Sequence, residues 1–130
     1  MSNNIPENLR YSKDHEWVLV EGDVATIGIT DYAQHSLGDV VYVDLPRSGD
    51  SFNSHEAFGS VESVKAVSEV FTPVAGEITE VNDALNDDAE KVNSDPYGAA
   101  WFIKVKMENP NEVDKMLSAE EYEEYLSANA

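Results

Sequence analysis

A chain of 130 residues is the size of one domain, and a domain of that length buries roughly two-thirds of the surface its unfolded chain exposes, so one core suffices. With 26 acidic against 8 basic residues and a formal net charge of −18, the chain repels phosphate backbones and anionic lipid surfaces, which argues against nucleic acid and membranes as partners and for a diffusing protein with basic patches. The absence of cysteine excludes disulfide scaffolds, thiolate nucleophiles and cysteine-ligated metals, while a 42% hydrophobic content that includes two Trp and six Tyr excludes a disordered tail.

The opening Met1-Ser2-Asn3-Asn4-Ile5-Pro6-Glu7 has neither an apolar core nor an Arg-rich amphipathic pattern, and residues 1–8 are expected to form a flexible N-terminus. No run of about 18 apolar residues occurs, and a soluble, cytoplasmic, monomeric protein is the expectation. The first β-formers are Leu9-Arg10-Tyr11 and Glu16-Trp17-Val18-Leu19-Val20, followed by the break Glu21-Gly22 and the run Val24 to Ile29. Gly at the second loop position supplies the positive φ of a tight turn, so the spacing predicts a hairpin.

Thr30 is placed to cap a short helix over 31–37, with Asp31 favourable in its first turn and Gly38 as its left-handed stop. Val40 to Leu45 reads as a strand ended by the turn residues Pro46-Arg47-Ser48-Gly49-Asp50. Ile78 to Val81 is a further strand, residues 82–95 a loop with one helical turn, and Trp101 to Met107 a half-buried strand with Lys104 and Lys106 outward. Asn109-Pro110 opens one helix with Val113, Met116 and Leu117 on a face; Ser118-Ala119-Glu120-Glu121 is a capping box opening another with Tyr122, Tyr125 and Leu126. These stripes read as core packing, so 110–128 is expected to be helices packed on a single domain spanning 1–130.

An internal echo organises the middle of the chain. Gly38-Asp39-Val40-Val41-Tyr42-Val43-Asp44 resembles Gly76-Glu77-Ile78-Thr79-Glu80-Val81-Asn82, Phe52-Asn53-Ser54 resembles Val92-Asn93-Ser94, and Gly59 resembles Gly98. Such an echo predicts two strand–loop–strand units in a two-layered β structure, with the connection over Glu62 to Phe71 between them. Lys65 is the only basic residue in the stretch from Gly59 to Glu77. On pattern alone it is a solvated strand or turn position, or else a lysine displayed for covalent modification at a hairpin apex on a rigid sheet. No Gly, Asn or Asp occupies that apex, so tight-turn chemistry by itself does not predict a hairpin there.

Glu62-Ser63-Val64-Lys65-Ala66 followed by Pro73-Val74-Ala75-Gly76-Glu77-Ile78, with Asp14-His15-Glu16-Trp17 and Val24 to Thr30 upstream, resembles the H-protein family of the glycine cleavage system. Gly38 to Pro46 and Asn93-Ser94-Asp95-Pro96-Tyr97-Gly98 extend the resemblance, which runs from about Leu9 to the C-terminus. It implies a mainly β hybrid barrel-sandwich of two small antiparallel sheets with short flanking helices. It also implies lipoic acid in amide linkage on Lys65, and a non-catalytic shuttle. The implied partners are the P protein that decarboxylates glycine, the T protein that passes the one-carbon unit on, the L protein that reoxidises the arm, and a lipoate-attaching enzyme. By the same resemblance Asp14, Glu16 and Glu69 are candidates for a cleft that receives the loaded arm, where carboxylates stabilise an ammonium by charge-assisted hydrogen bonds.

The alternatives are a lipoyl or biotinyl domain of another multienzyme complex, a lipoyl relay to other enzymes, an enzyme, and an interaction module built on the C-terminal helices. Biotinyl domains place Met on both sides of their lysine, whereas Val64 and Ala66 flank Lys65; lipoyl acyltransferase domains have Asp before it. His15, His35 and His55 are spaced so that no two share a helical turn or a strand face, which argues against a metal or acid–base site.

Overall fold

The computed structural model describes residues 5–129, so residues 1–4 of the expected N-terminal tail lie outside the described residues. Within the rest of that tail, Ile5 packs on a side-chain cluster and the Pro6 carbonyl accepts a hydrogen bond from the Tyr11 hydroxyl at 2.5 Å. Nine strands follow among the described residues: β1 (Arg10–Tyr11), β2 (Glu16–Glu21), β3 (Val24–Ile29), β4 (Val40–Asp44), β5 (Ser51–Phe52), β6 (Glu56–Ser63), β7 (Val67–Thr72), β8 (Gly76–Val81) and β9 (Ile103–Met107). The helices are α1 (Asp31–Leu37), α2 (Lys91–Ser94) and α3 (Ala119–Asn129), with 3₁₀ turns at Asp83–Asn86 and Pro110–Lys115.

All pairings are antiparallel, in a six-stranded sheet of order β1-β2-β3-β9-β8-β5 and a three-stranded sheet of order β4-β6-β7. The mainly β, two-sheet architecture expected from the sequence is therefore present, and the sheets pack face to face without closing into a barrel. Between them Ile27, Val43, Val61, Val74, Ile78, Leu85 and Phe102 are fully buried. Burying such aliphatic and aromatic side chains stabilises the fold by about 1.5–3 kcal/mol each.

Strand β2 is buried on both faces because its side chains alternate. Val18 enters the core between the sheets, while Trp17 and Leu19 point to a second cluster with Tyr11, Leu117, Tyr122, Tyr125 and Leu126, where the C-terminal segment covers the sheet. Gly28, directly across from Trp17, leaves room for the indole; a Cβ there would stand 2.7 Å from the ring. The predicted capping box forms, since the Glu121 N–H donates to Ser118 Oγ at 3.2 Å and the Ser118 N–H donates to Glu121 Oε1 at 2.9 Å.

Several boundaries differ from the sequence expectation. Glu21 pairs with Val24, so Gly22, at φ 66°, takes the first and not the second loop position of the β2–β3 hairpin. Strand β9 begins at Ile103 and not at Trp101, because the Asn82 side chain takes up the carbonyls of Ala99 and Trp101, each at 2.7 Å. The first C-terminal helix is a 3₁₀ turn, opened by Asn109 as expected. The echoing strands β4 and β8 each pair with a strand returning after a long excursion, β6 and β9, but Phe52 lies on a strand while Val92 lies on a helix. The finer matches at fixed offset are thus not structural equivalents.

Candidate functional site

Strands β6 and β7 form a hairpin with Lys65, an exposed side chain, at its apex. A serine supplies the turn chemistry that the apex lacks: Ser63 Oγ accepts from the N–H of Ala66 at 3.1 Å and of Lys65 at 3.3 Å, and the Ser63 N–H donates to the Ala66 carbonyl at 2.8 Å. A short hydroxyl side chain bonding backbone two and three residues ahead imitates a backbone turn, so no positive φ is needed.

The apex is tied to the turn that follows α1. The Val64 N–H donates to the Asp39 carbonyl at 3.0 Å, and the Lys65 stem lies along Gly38, where a Cβ would stand 3.4 Å from Lys65 Cε. Gly38 has φ 80° and ends α1 by donating its N–H to the Gln34 carbonyl at 3.0 Å. Asn93, on α2, holds this turn from below. Its Nδ2 donates to the Gly38 carbonyl at 2.8 Å and to Gln34 Oε1 at 3.0 Å, and its Oδ1 accepts from the Val40 N–H at 2.8 Å. In the sequence Asn93 stands out only as the first residue of the motif Asn93 to Gly98; what distinguishes it, contacts to residues more than fifty positions away, has no sequence signature.

A cleft of about 170 Å³ opens beside the hairpin, walled by Tyr32, Ala33, Ser36 and Leu37 of α1 and floored by Val61, Ser68 and Val70 of β6 and β7. The three candidate carboxylates, Asp14, Glu16 and Glu69, all line it, although they come from the β1–β2 turn, the start of β2 and the edge strand β7. Leu37, the last residue of α1, precedes the glycine against which Lys65 lies. The displayed lysine and the cleft are therefore neighbours.

The carboxylates differ in environment. Asp14 and Glu69 are exposed, whereas Glu16 is 2% exposed. Glu16 Oε1 accepts from the Ser12 hydroxyl at 2.5 Å and Oε2 from the Phe71 N–H at 3.3 Å, which links β2 to β7. Burial pushes its pKa up to about 7; Asp14 pushes the same way, and the two hydrogen bonds oppose the rise. Sequence patterning marked Glu16 as a surface carboxylate as readily as a cleft one, because its neighbours in space are not its neighbours in the chain.

His15 sits between these residues with φ 69°, a left-handed conformation that costs a non-glycine residue about 1 kcal/mol or more. Its ring packs on Tyr32 with centroids 4.6 Å apart, and Nδ1 lies 2.9 Å from the Tyr122 hydroxyl, which also meets Thr30 Oγ1 at 2.8 Å. Burial lowers the His15 pKa, with Asp14 opposing. One tyrosine of α3 thereby joins the cleft to the cap of α1. His35 lies on α1 beside Asp31, and His55 lies in the turn before β6, so the structure brings no two of the three histidines together.

The family model of the glycine cleavage H-protein matches residues 9–129. The chain belongs to the glycine cleavage H-protein family. It is 53% identical over 122 residues to the glycine cleavage system H protein of Staphylococcus carnosus (strain TM300), covering 94% of this chain and 97% of the relative. To the protein of the same name from Geobacillus kaustophilus (strain HTA426) it is 54% identical over 124 residues, covering 95% and 98% of the two chains. The crystal structure of a glycine cleavage system H protein from Mycobacterium marinum superposes with a TM-score of 0.84 at 39% identity, covering 96% of this chain and 98% of that one. Matches of this extent favour the H-protein family over a carrier domain of another multienzyme complex.

Proposed function

We propose that Lys65 carries lipoic acid in amide linkage and that the chain is the lipoyl-carrying shuttle of glycine cleavage, a carrier and not a catalyst. The observation that carries this reading is the position of Lys65: exposed at an apex fixed by Ser63 and Asp39, beside a cleft that holds Glu16 and Glu69. None of the ion pairs among the described residues involves Lys65. Lys65 would hold the lipoyl group through its amide, and the group would supply a dithiolane able to take up the aminomethyl group left as glycine is decarboxylated; the chain supplies position and electrostatics.

The cargo bears a primary amine, which is a cation near neutral pH. Glu16 and Glu69, with Asp14 at the rim, are assigned to receive it. Ser12 and Phe71 hold the Glu16 carboxylate in place, and the apolar walls of Ile29, Leu37 and Val70 keep water away. An arriving ammonium stabilises ionised Glu16 and offsets its burial. The partners are the P, T and L proteins and a lipoate-attaching enzyme, met by a monomeric carrier in the cytoplasm. No helix among the described residues is long and apolar enough to cross a membrane.

Two measurements test the assignment. Protein made in lipoate-supplied cells that contain a lipoate–protein ligase gains one lipoyl mass on the peptide bearing Lys65, and Lys65→Arg gains none. The lipoylated chain supports glycine–bicarbonate exchange by the P protein, and the unmodified chain does not. A lipoyl mass on a different residue, or exchange that proceeds equally with Lys65→Arg, refutes the reading.

A further inference from the structure

The outer face of the three-stranded sheet carries apolar side chains that the fold leaves uncovered. Tyr42, Glu62 and Val67 are direct cross-strand partners on β4, β6 and β7, so their side chains stand in one row on one face. Val41 is the extra residue of a bulge beside that row, and Val64 is at the hairpin tip. Val41 is 53% exposed, Tyr42 51%, Val64 68% and Val67 66%; together they account for four of the five large exposed hydrophobics among the described residues. Large apolar side chains clustered on an otherwise acidic surface mark an interaction site.

We infer that this face docks the enzyme that acylates Lys65, and that the enzyme meets it with an apolar patch rimmed by Lys and Arg. The inference rests on the reading of Lys65 as a lipoylated residue. Exposed Asp39 and Glu62 border or interrupt the patch, and Asp44 stands in the next row on the same face, so the rim is negative and complements a basic partner. Geometry selects the occupant. Proteins that act on a finished arm work on its dithiolane, at the end remote from Nζ. The attaching enzyme must bring an acyl carbon to Nζ itself, and the Lys65 stem lies against Gly38. Its surface therefore closes over the hairpin tip, where Val64 and Val67 are exposed on either side of Lys65.

In that step the neutral Lys65 amine attacks the carbonyl carbon of a lipoyl group activated as an acyl adenylate. The C–N bond forms, the bond from the carbonyl carbon to the phosphate oxygen breaks, AMP departs with the electron pair, and the amine loses its proton. The docking face contributes binding to this encounter and no chemistry.

The test uses the unmodified chain, a lipoate–protein ligase, lipoate and ATP, with steady-state rates of amide formation. Val64→Ser/Val67→Ser and, separately, Tyr42→Ser lower kcat/KM about tenfold, mostly through KM, because each removes exposed apolar area that only the complex buries. Val20→Ser, an exposed apolar residue elsewhere on the surface, leaves it unchanged. Acetylation of Lys65 by a small activated ester, followed by peptide mass, proceeds at the wild-type rate in every variant. Ligation of the patch variants within twofold of wild type overturns the inference, as does an equal slowing of acetylation, which would place the effect in the amine. Wild-type protein that takes no lipoyl mass at Lys65 overturns the carrier reading instead.

Discussion

The Val64 N–H donates to the Asp39 carbonyl at 3.0 Å, so the tip that displays Lys65 is fastened to the turn at the end of α1 and not left as a free hairpin. Asn93 holds that turn through three hydrogen bonds, to Gly38, Val40 and Gln34. Asn93→Ala strands the Val40 N–H and the Gly38 carbonyl and is expected to lower stability by about 1–3 kcal/mol. Hydrogen exchange read by mass spectrometry should show faster exchange at Val40 and Val64 than in wild type. Unchanged protection at both amides would separate the turn from the hairpin.

Ser63 makes the apex without glycine. Ser63→Ala leaves the N–H groups of Lys65 and Ala66 to water and is expected to cost about 1 kcal/mol, whereas Ser63→Asn, whose side chain forms the same kind of turn, retains most of it. Urea unfolding of the two variants checks this. Equal losses from both would show that the hydroxyl does not set the turn.

Glu16 gives the fold a pH dependence of definite sign. Its folded pKa of about 7 stands above the ordinary 4.5, so between these values the folded chain keeps a proton that the unfolded chain has lost. Stability therefore falls as pH rises through that window, and above it the full penalty, on the order of 3 kcal/mol, is present. Glu16→Gln cannot ionise and removes this slope. Denaturant unfolding at several pH values should show the variant gaining on wild type from about pH 5 to about pH 8. Parallel curves would return Glu16 to an ordinary carboxylate.

Loaded carrier separates the two proposed receivers of the cargo. Glu16→Gln, which removes a buried charge-assisted partner, is expected to shorten the lifetime of the aminomethyl arm against hydrolysis by about 10- to 100-fold. Glu69→Gln removes an exposed one and has a smaller effect. The rate of ammonia and formaldehyde release from isolated loaded carrier measures both. A lifetime unchanged in Glu69→Gln takes Glu69 out of the cleft's function.

The Tyr122 hydroxyl serves two partners, His15 Nδ1 and Thr30 Oγ1, in a buried setting. Tyr122→Phe keeps the ring stacked on Tyr11 and loses both bonds, with an expected cost of about 1–3 kcal/mol. Thermal melting measures it. A loss below the error of the melt would mean that water replaces the hydroxyl.

Local chemistry was readable in the chain itself. The Thr30 cap, the Gly38 stop, the Ser118–Glu121 box and the alternation of β9 involve residues within four positions of one another, and each formed as its sequence pattern predicts. Lys65 and the three carboxylates were marked by family motifs. Patterning alone left them as surface charges, because a solvated carboxylate and a cleft carboxylate have the same letter. Boundaries failed where a distant side chain intervened, as Asn82 does at Ala99 and Trp101.

By itself, then, the sequence determined the acidic, mainly β fold, its caps and turns, and a lysine set among β-formers. Tertiary structure alone decided that Lys65 stands fixed beside a cleft, that Asp14, Glu16 and Glu69 converge there, and that Asn93 and Tyr122 hold the parts together. The physical reason is range. Capping and periodicity act over a turn or a pleat, whereas burial of Glu16 and the clamping of the hairpin join residues 55 and 25 positions apart, Glu16 to Phe71 and Asp39 to Val64, and exist only once the sheets have packed.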